Sequence, residues 1–100
     1  MKAVAEEIKS DLAKRIRTGL GDVIDPELGR DIVGLGLIYL VEASGAGEVR
    51  IVMTTTTPGC PAAGFMVDAV RCTALAVDGV STVDVQLTHE PRWHPGMMAP

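Results

Sequence analysis

The order of the apolar patterns between residues 37 and 87 is the feature that most restricts the fold. A β-branched and aromatic run predicts a strand at 37–42, and alternating apolar residues predict strands at 48–55 and 80–87. A helical period from 62 to 77 separates the last two strands. The turn at 43–47 is short enough for an antiparallel hairpin. The second helix is long enough to be the crossover of a right-handed parallel strand–helix–strand unit. These connections predict a mixed three-stranded sheet.

An amphipathic helix is predicted ahead of the sheet. Apolar residues recur at every fourth position from Val4 to Leu20, which places them in one stripe, and Pro26 disfavours helical geometry at Asp25. We therefore expect a helix over about 4–23, covering one face of the sheet together with the second helix. The result is an α/β fold of the two-layer α+β type, in the order α-β-β-α-β. One domain is expected to span residues 1–100, with loose termini at 1–3 and 94–100.

Composition and charge exclude several classes of function. The 100 residues are 47% hydrophobic, which suits one domain with a packed core. The net charge of -4 argues against nucleic-acid binding, which needs clustered basic residues. No apolar run approaches the ~20 residues of a membrane span, and the N-terminus has no apolar signal-peptide core. We expect a cytoplasmic domain without nucleic-acid or membrane partners, in which both cysteines are thiols.

Cys60 stands between two prolines just before the second helix. Pro61 fits the first helical position, which would place Cys60 at or beside the N-cap. Unpaired N–H groups and the helix dipole there favour a thiolate, the form that acts as nucleophile and metal ligand. Thr56 and Thr57 could direct hydroxyls to the same place. Spacing alone leaves a functional thiol and a small buried residue as equal alternatives, whereas Cys72, in mid-helix, is expected to pack in a core or interface.

An acidic loop forms the second candidate feature. Asp25, Glu27 and Asp31 fall within seven residues, beside glycines. Carboxylates together with a thiolate could bind a metal or move a proton, but for the loop taken alone ordinary turn chemistry, with Asp25 as a cap, is the better explanation. The loop precedes the first strand, and the Cys60 segment follows its hairpin partner. Because the start of one antiparallel strand lies beside the end of the other, both segments should meet at one edge of the sheet.

The C-terminal tail is not expected to hold a metal. Its HEPRWH segment at 89–94 departs from the H-E-x-x-H spacing, and Pro91 forbids a regular helix through it. His89 and His94 are therefore interpreted as solvent-exposed. Trp93 is expected to pack the tail across the open face of the sheet.

Three segments in this order resemble a known family. They are DPELGRDIVGLGLIY at 25–39, MTTTTPGCPAAG at 53–64 and EPRW at 90–93. The chain resembles the PaaD/SufT-like family of small iron–sulfur assembly proteins, whose domain the eukaryotic cytosolic iron–sulfur targeting factors share. The resemblance implies a compact α/β domain related to the NifU C-terminal module. It also carries the functional cluster of the family to six positions: Asp25, Glu27, Leu28, Thr56, Thr57 and Cys60.

The resemblance implies a role in maturing iron–sulfur proteins, either by handling or delivering iron or clusters or by targeting client proteins. Cys60 would serve as a reactive thiolate or a transient ligand. One cysteine cannot complete the usual four-ligand set of a cluster, so we expect labile iron or cluster rather than a permanent cofactor. The implied partners are the iron–sulfur assembly machinery and apo client proteins, and a homodimer is left open.

Two other functions remain as alternatives. In the first, the domain is a non-catalytic interaction adaptor and Cys60 is structural. The second, ranked last, is a thiol-dependent enzyme using Asp25 or Glu27 as its base. An assembly factor is therefore expected more than an enzyme.

Overall fold

The structure, a computed structural model, describes residues 2–99 and the side chains from Asp11 onward. Its elements are α1 (Lys2–Leu20), β1 (Ile38–Ala43), β2 (Glu48–Met53), α2 (Ala63–Leu75), β3 (Thr82–Leu87) and a short 3-10 helix, Pro95–Met97. This order confirms the predicted α-β-β-α-β arrangement. Both helices end earlier than predicted, because turns follow at 18–23 and 73–77. Within the described residues, no helix is long and apolar enough to cross a membrane.

The sheet is mixed, as the connections predicted. β2 lies in the centre, antiparallel to β1 and parallel to β3. Ile51 pairs with Val41 on one side and with Val85 on the other. The ladder between β1 and β2 is interrupted by a bulge between Ile38 and Leu40, whereas the ladder between β2 and β3 is continuous.

The core lies between the helices and the inward face of the sheet. α1 packs on β1, α2 packs on β3, and the two helices contact each other. Leu12, Ile16 and Leu20 of the predicted α1 stripe are buried, while the side chains of Val4 and Ile8 lie outside the described residues. α2 and β2 contribute the other buried rows: Met66, Val70 and Ala74, and Val49, Ile51 and Met53.

The C-terminal tail packs on the segment that leads into β1. The Trp93 indole Nε1 donates to the Leu35 carbonyl at 2.6 Å, and the Ala99 amide donates to the Gly34 carbonyl at 2.7 Å. The Tyr39 hydroxyl donates to the Pro91 carbonyl at 2.7 Å. The tail is therefore bonded to residues 34, 35 and 39, at the start of β1. The loose terminus from residue 94 and the packing of the tail across the open face of the sheet stay predictions.

Candidate functional site

The hairpin brings the acidic loop and the cysteine segment together. The Cys60 Sγ donates a hydrogen bond to Glu27 Oε1 at 3.5 Å, although the two residues are 33 positions apart. Cys60 is 7% exposed, whereas Glu27 is exposed. The predicted meeting of the two segments at one edge of the sheet is confirmed. A thiol and a carboxylate thus face each other close to the surface.

Asp25 positions the loop that carries Glu27. Its buried Oδ1 accepts the Glu27 backbone N–H at 2.8 Å and the Leu28 N–H at 3.3 Å. Gly29 closes the turn, with a φ of 68° and its N–H on the Asp25 carbonyl at 2.8 Å. An isolated bridge between Ile24 and Asp31 holds the base of the loop. The carboxylate of Asp25 therefore caps this turn.

The surroundings of Cys60 favour the protonated thiol. Burial raises the pKa of Cys60 above its ordinary value, and the hydrogen bond and charge of Glu27 and the charge of Asp25 raise it further. The Ala62 backbone N–H acts in the opposite direction but is outweighed. This direction opposes the expected thiolate, because desolvation and two carboxylates exceed the effect of one N–H donor.

The position at which α2 begins is one reason why the helix does not lower the pKa of Cys60. Ala62 is its N-cap and Ala63 its first residue, so Pro61 is outside the helix and not at its first position. The Cys60 carbonyl accepts the Ala63 N–H at 3.1 Å in a turn that precedes the helix. Cys60 lies two residues before the N-cap, and its predicted placement at or beside that cap is wrong.

The four consecutive threonines at 54–57 differ in burial. Thr54 and Thr55 are buried, Thr56 is half-buried and Thr57 is exposed. The Thr55 hydroxyl donates to the Thr57 carbonyl at 2.6 Å and lies 2.9 Å from His89 Nε2. The interpretation of His89 as solvent-exposed, based on its position in a proline-rich tail, is wrong because its side chain is half-buried. Thr55 could have been found from the alternation of Val49, Ile51 and Met53, which it continues.

Leu28, Trp93 and Cys72 lie in three different environments. Leu28 is 48% exposed beside Glu27. Trp93 is half-buried and its polar atom is bonded to Leu35, so it acts in tail packing. Cys72 is exposed on α2. Of the two places expected for it, a core or an interface, the core is wrong, because the buried face of that helix runs through Met66, Val70 and Ala74.

The donor set at this edge is small. Cys60 and Glu27 supply one sulfur and one carboxylate group, while Asp25 is engaged in its turn. Across the part of the chain that the structure describes, no group of three or more His, Cys, Asp or Glu side chains could hold a metal ion. The site therefore offers an incomplete ligand set.

The comparisons with known proteins agree with this fold. Residues 2–85 match the family model described as iron–sulfur cluster assembly protein. An Fe-S protein maturation auxiliary factor of Porphyromonas gingivalis is 40% identical over 93 residues, which are 93% of this chain and 85% of that protein. An iron–sulfur cluster carrier protein of Mycobacterium bovis is 39% identical over 77 residues, covering 77% of this chain and 20% of that protein.

A solved structure has the same architecture. The crystal structure of a domain of unknown function, DUF59, from Bacillus anthracis superposes with a TM-score of 0.90 at 36% identity, covering 94% of this chain and 90% of that one. The similarity extends over nearly the whole chain in both sequence and structure. The chain belongs to the family of iron–sulfur cluster assembly proteins.

Proposed function

We propose that this chain acts in the maturation of iron–sulfur proteins by receiving iron or a labile cluster at Cys60 and passing it to a client protein. Family membership supports the general role, as do the relatives described as a maturation auxiliary factor and a cluster carrier. The contact between Cys60 and Glu27 carries the finer claim, because it pairs a soft and a hard iron ligand at the surface.

The incomplete ligand set fits a cargo that must leave again. A stable cluster is usually held by four protein ligands, mostly thiolates. One thiol with one carboxylate leaves coordination positions for ligands of a donor or a client. Transfer would then proceed by ligand exchange between the two proteins, and the incoming iron is substrate rather than a resident cofactor.

Glu27 has a defined part in this proposal. Cys60 must lose its proton to bind iron, since the thiolate is the ligand. When the iron–sulfur bond forms, the S–H bond breaks and the proton passes to the carboxylate that already accepts it, Glu27 Oε1. The same carboxylate can return the proton when the cargo leaves, which restores the neutral thiol.

The other residues that the family resemblance implies are proposed to have supporting roles. Asp25 holds the loop so that Glu27 faces the thiol. Leu28 and Thr57 are exposed and are proposed to contact the client, and the half-buried Thr56 is proposed to line the site. Thr55 fixes that connector through the Thr57 carbonyl.

Complementation in cells lacking the endogenous gene tests this function. We expect Cys60→Ser to lose the activity of an iron–sulfur-dependent client enzyme, and Cys72→Ser to keep it. Cys72 is the matched control because it is the other thiol, exposed on α2. Circular dichroism of both variants would confirm that they fold.

The adaptor function remains the second candidate, favoured by the burial of Cys60 and the raised pKa of its thiol. In that case Cys60 only packs at the sheet edge, and the surface around Leu28 recognises clients. Full client activity with Cys60→Ala, alongside unchanged client binding, would support the adaptor and remove the ligand role.

A further inference from the structure

The outer strand β3 presents a backbone edge that the proposed function does not use. The Thr88 amide donates to the Met53 carbonyl of β2 at 2.9 Å. Because residues alternate in direction along a strand, the N–H and C=O groups of Val83, Val85 and Leu87 point away from β2. Within residues 2–99 these groups have no hydrogen-bond partner. Such a row of unpaired groups is a template for another strand.

This edge lacks three of the features that block strand pairing, namely proline, basic side chains and a bulge. The segment TVDVQL contains no proline, lysine or arginine, and its register with β2 is uninterrupted. The opposite edge of the sheet differs, since β1 contains the bulge next to Tyr39 and the tail is bonded to the Tyr39 hydroxyl. β3 is therefore the edge better suited to pairing.

The inward side chains of β3 are incompletely covered. Val83 and Val85 are only half-buried and Leu87 is 43% exposed, whereas Ile51 in the central strand is fully buried. A further strand beside β3 would cover this apolar row. The uncovered surface thus coincides with the unpaired backbone.

We propose that β3 pairs antiparallel with β3 of a second copy of this chain, with Val85 on the two-fold axis. In this register Val85 faces Val85 of the second copy, and Val83 faces Leu87, so that apolar residues meet on the inward face. On the outward face Asp84 meets Gln86, whose amide can donate to the carboxylate. The outward N–H and C=O groups of Val83, Val85 and Leu87 all find partners.

Charge disfavours one of the neighbouring registers. Centring the axis on Asp84 would set two carboxylates directly opposite each other, which is destabilising. A slip by one residue would oppose inward and outward side chains. The sequence of β3 is therefore self-complementary in the register centred on Val85.

The dimer is independent of the proposed cargo site. A two-fold axis perpendicular to the sheet makes a six-stranded sheet with all four helices on one face. The C-terminal ends of the two central strands then point in opposite directions, so the two Cys60 residues lie at opposite ends. This dimer does not bridge one cluster between two Cys60 thiols, and it can fail without affecting the proposed function.

Sedimentation equilibrium of Gln86 variants tests the pairing. Gln86 is exposed on the outward face, so its charge can be changed without disturbing the core. Because the proposed dimer is symmetric, Gln86→Lys would place a cation opposite each of the two Asp84 carboxylates. Gln86→Asp would place a carboxylate opposite each of them. We expect the dimer dissociation constant to fall roughly three- to tenfold with Lys and to rise by a similar factor with Asp. The double variant Asp84→Lys/Gln86→Asp should restore dimerisation.

Amide exchange gives a second readout on the unaltered chain. The Val83, Val85 and Leu87 amides should become protected as protein concentration rises, while those of Asp84 and Gln86 are protected throughout by β2. A chain that stays monomeric at about 1 mM overturns the proposal. So does a dimer insensitive to charge at position 86, because it must use another surface.

Discussion

At the scale of single residues, the proposed function rests on Cys60 and Glu27, and Asp25 positions the loop that carries Glu27. Burial and the neighbouring carboxylates raise the pKa of the Cys60 thiol, which disfavours an activated nucleophile. Binding of a cation would reverse this balance, because a positive charge favours the thiolate. In the proposed function, Cys60 therefore responds to metal rather than attacking a substrate unaided.

The pH dependence of alkylation tests this description of Cys60. In a Cys72→Ser background only Cys60 reacts, and its reactivity should appear at higher pH than that of an exposed thiol, since only the thiolate reacts. Glu27→Gln removes the charge that raises the pKa of Cys60, so the midpoint of the alkylation profile should move to lower pH. An unchanged midpoint would show that Glu27 does not act on the thiol.

The turn formed by Asp25 yields a prediction about stability. Asp25→Ala leaves the Glu27 and Leu28 N–H groups without their acceptor and should lower the free energy of unfolding by about 2 kcal/mol. Asp25→Asn retains an acceptor oxygen and should lose less. Urea denaturation measures both, and equal losses would mean that Asp25 acts through its charge rather than as a turn cap.

At the scale of elements, the β1–β2 hairpin and the connector from β2 to α2 form the candidate site. The C-terminal tail packs against the start of that hairpin. The hairpin of β1 and β2 sets the acidic loop beside the connector to α2. The tail then crosses back and bonds to residues 34–39, at the start of the same hairpin. The backbone of Gly36, at a φ of 80°, lies against Met97, where a Cβ would overlap the Met97 carbonyl oxygen.

Two glycines with similar dihedral angles separate backbone strain from tail packing. Gly29→Ala, at a φ of 68° and in open space, should cost about 1 kcal/mol of stability for its left-handed conformation alone. Gly36→Ala should cost more, because the tail must also move away. Trp93 is the only tryptophan, so its fluorescence should shift to longer wavelength in Gly36→Ala and stay unchanged in Gly29→Ala. Identical spectra would contradict the role of Gly36 in seating the tail.

At the scale of the whole molecule, the predictable parts are those fixed by periodicity and short connections. The order of elements and the meeting of Glu27 with Cys60 followed from strand alternation and hairpin length. The start of α2 did not, because proline suits both the first helical position and the turn that Pro61 occupies here. The placement of Trp93 also could not be predicted, since the tail has no period and its partners are distant carbonyls.

Iron binding after anaerobic incubation with ferrous iron and sulfide is the most direct measurement of the central claim. Bound iron and the visible absorption spectrum would be compared for the wild type, Cys60→Ser, Glu27→Gln and Cys72→Ser. We expect the wild type and Cys72→Ser to bind alike, Glu27→Gln to bind more weakly, and Cys60→Ser to bind little iron. Equal binding by Cys60→Ser and the wild type would contradict the assignment of Cys60 as the ligand that receives the cargo.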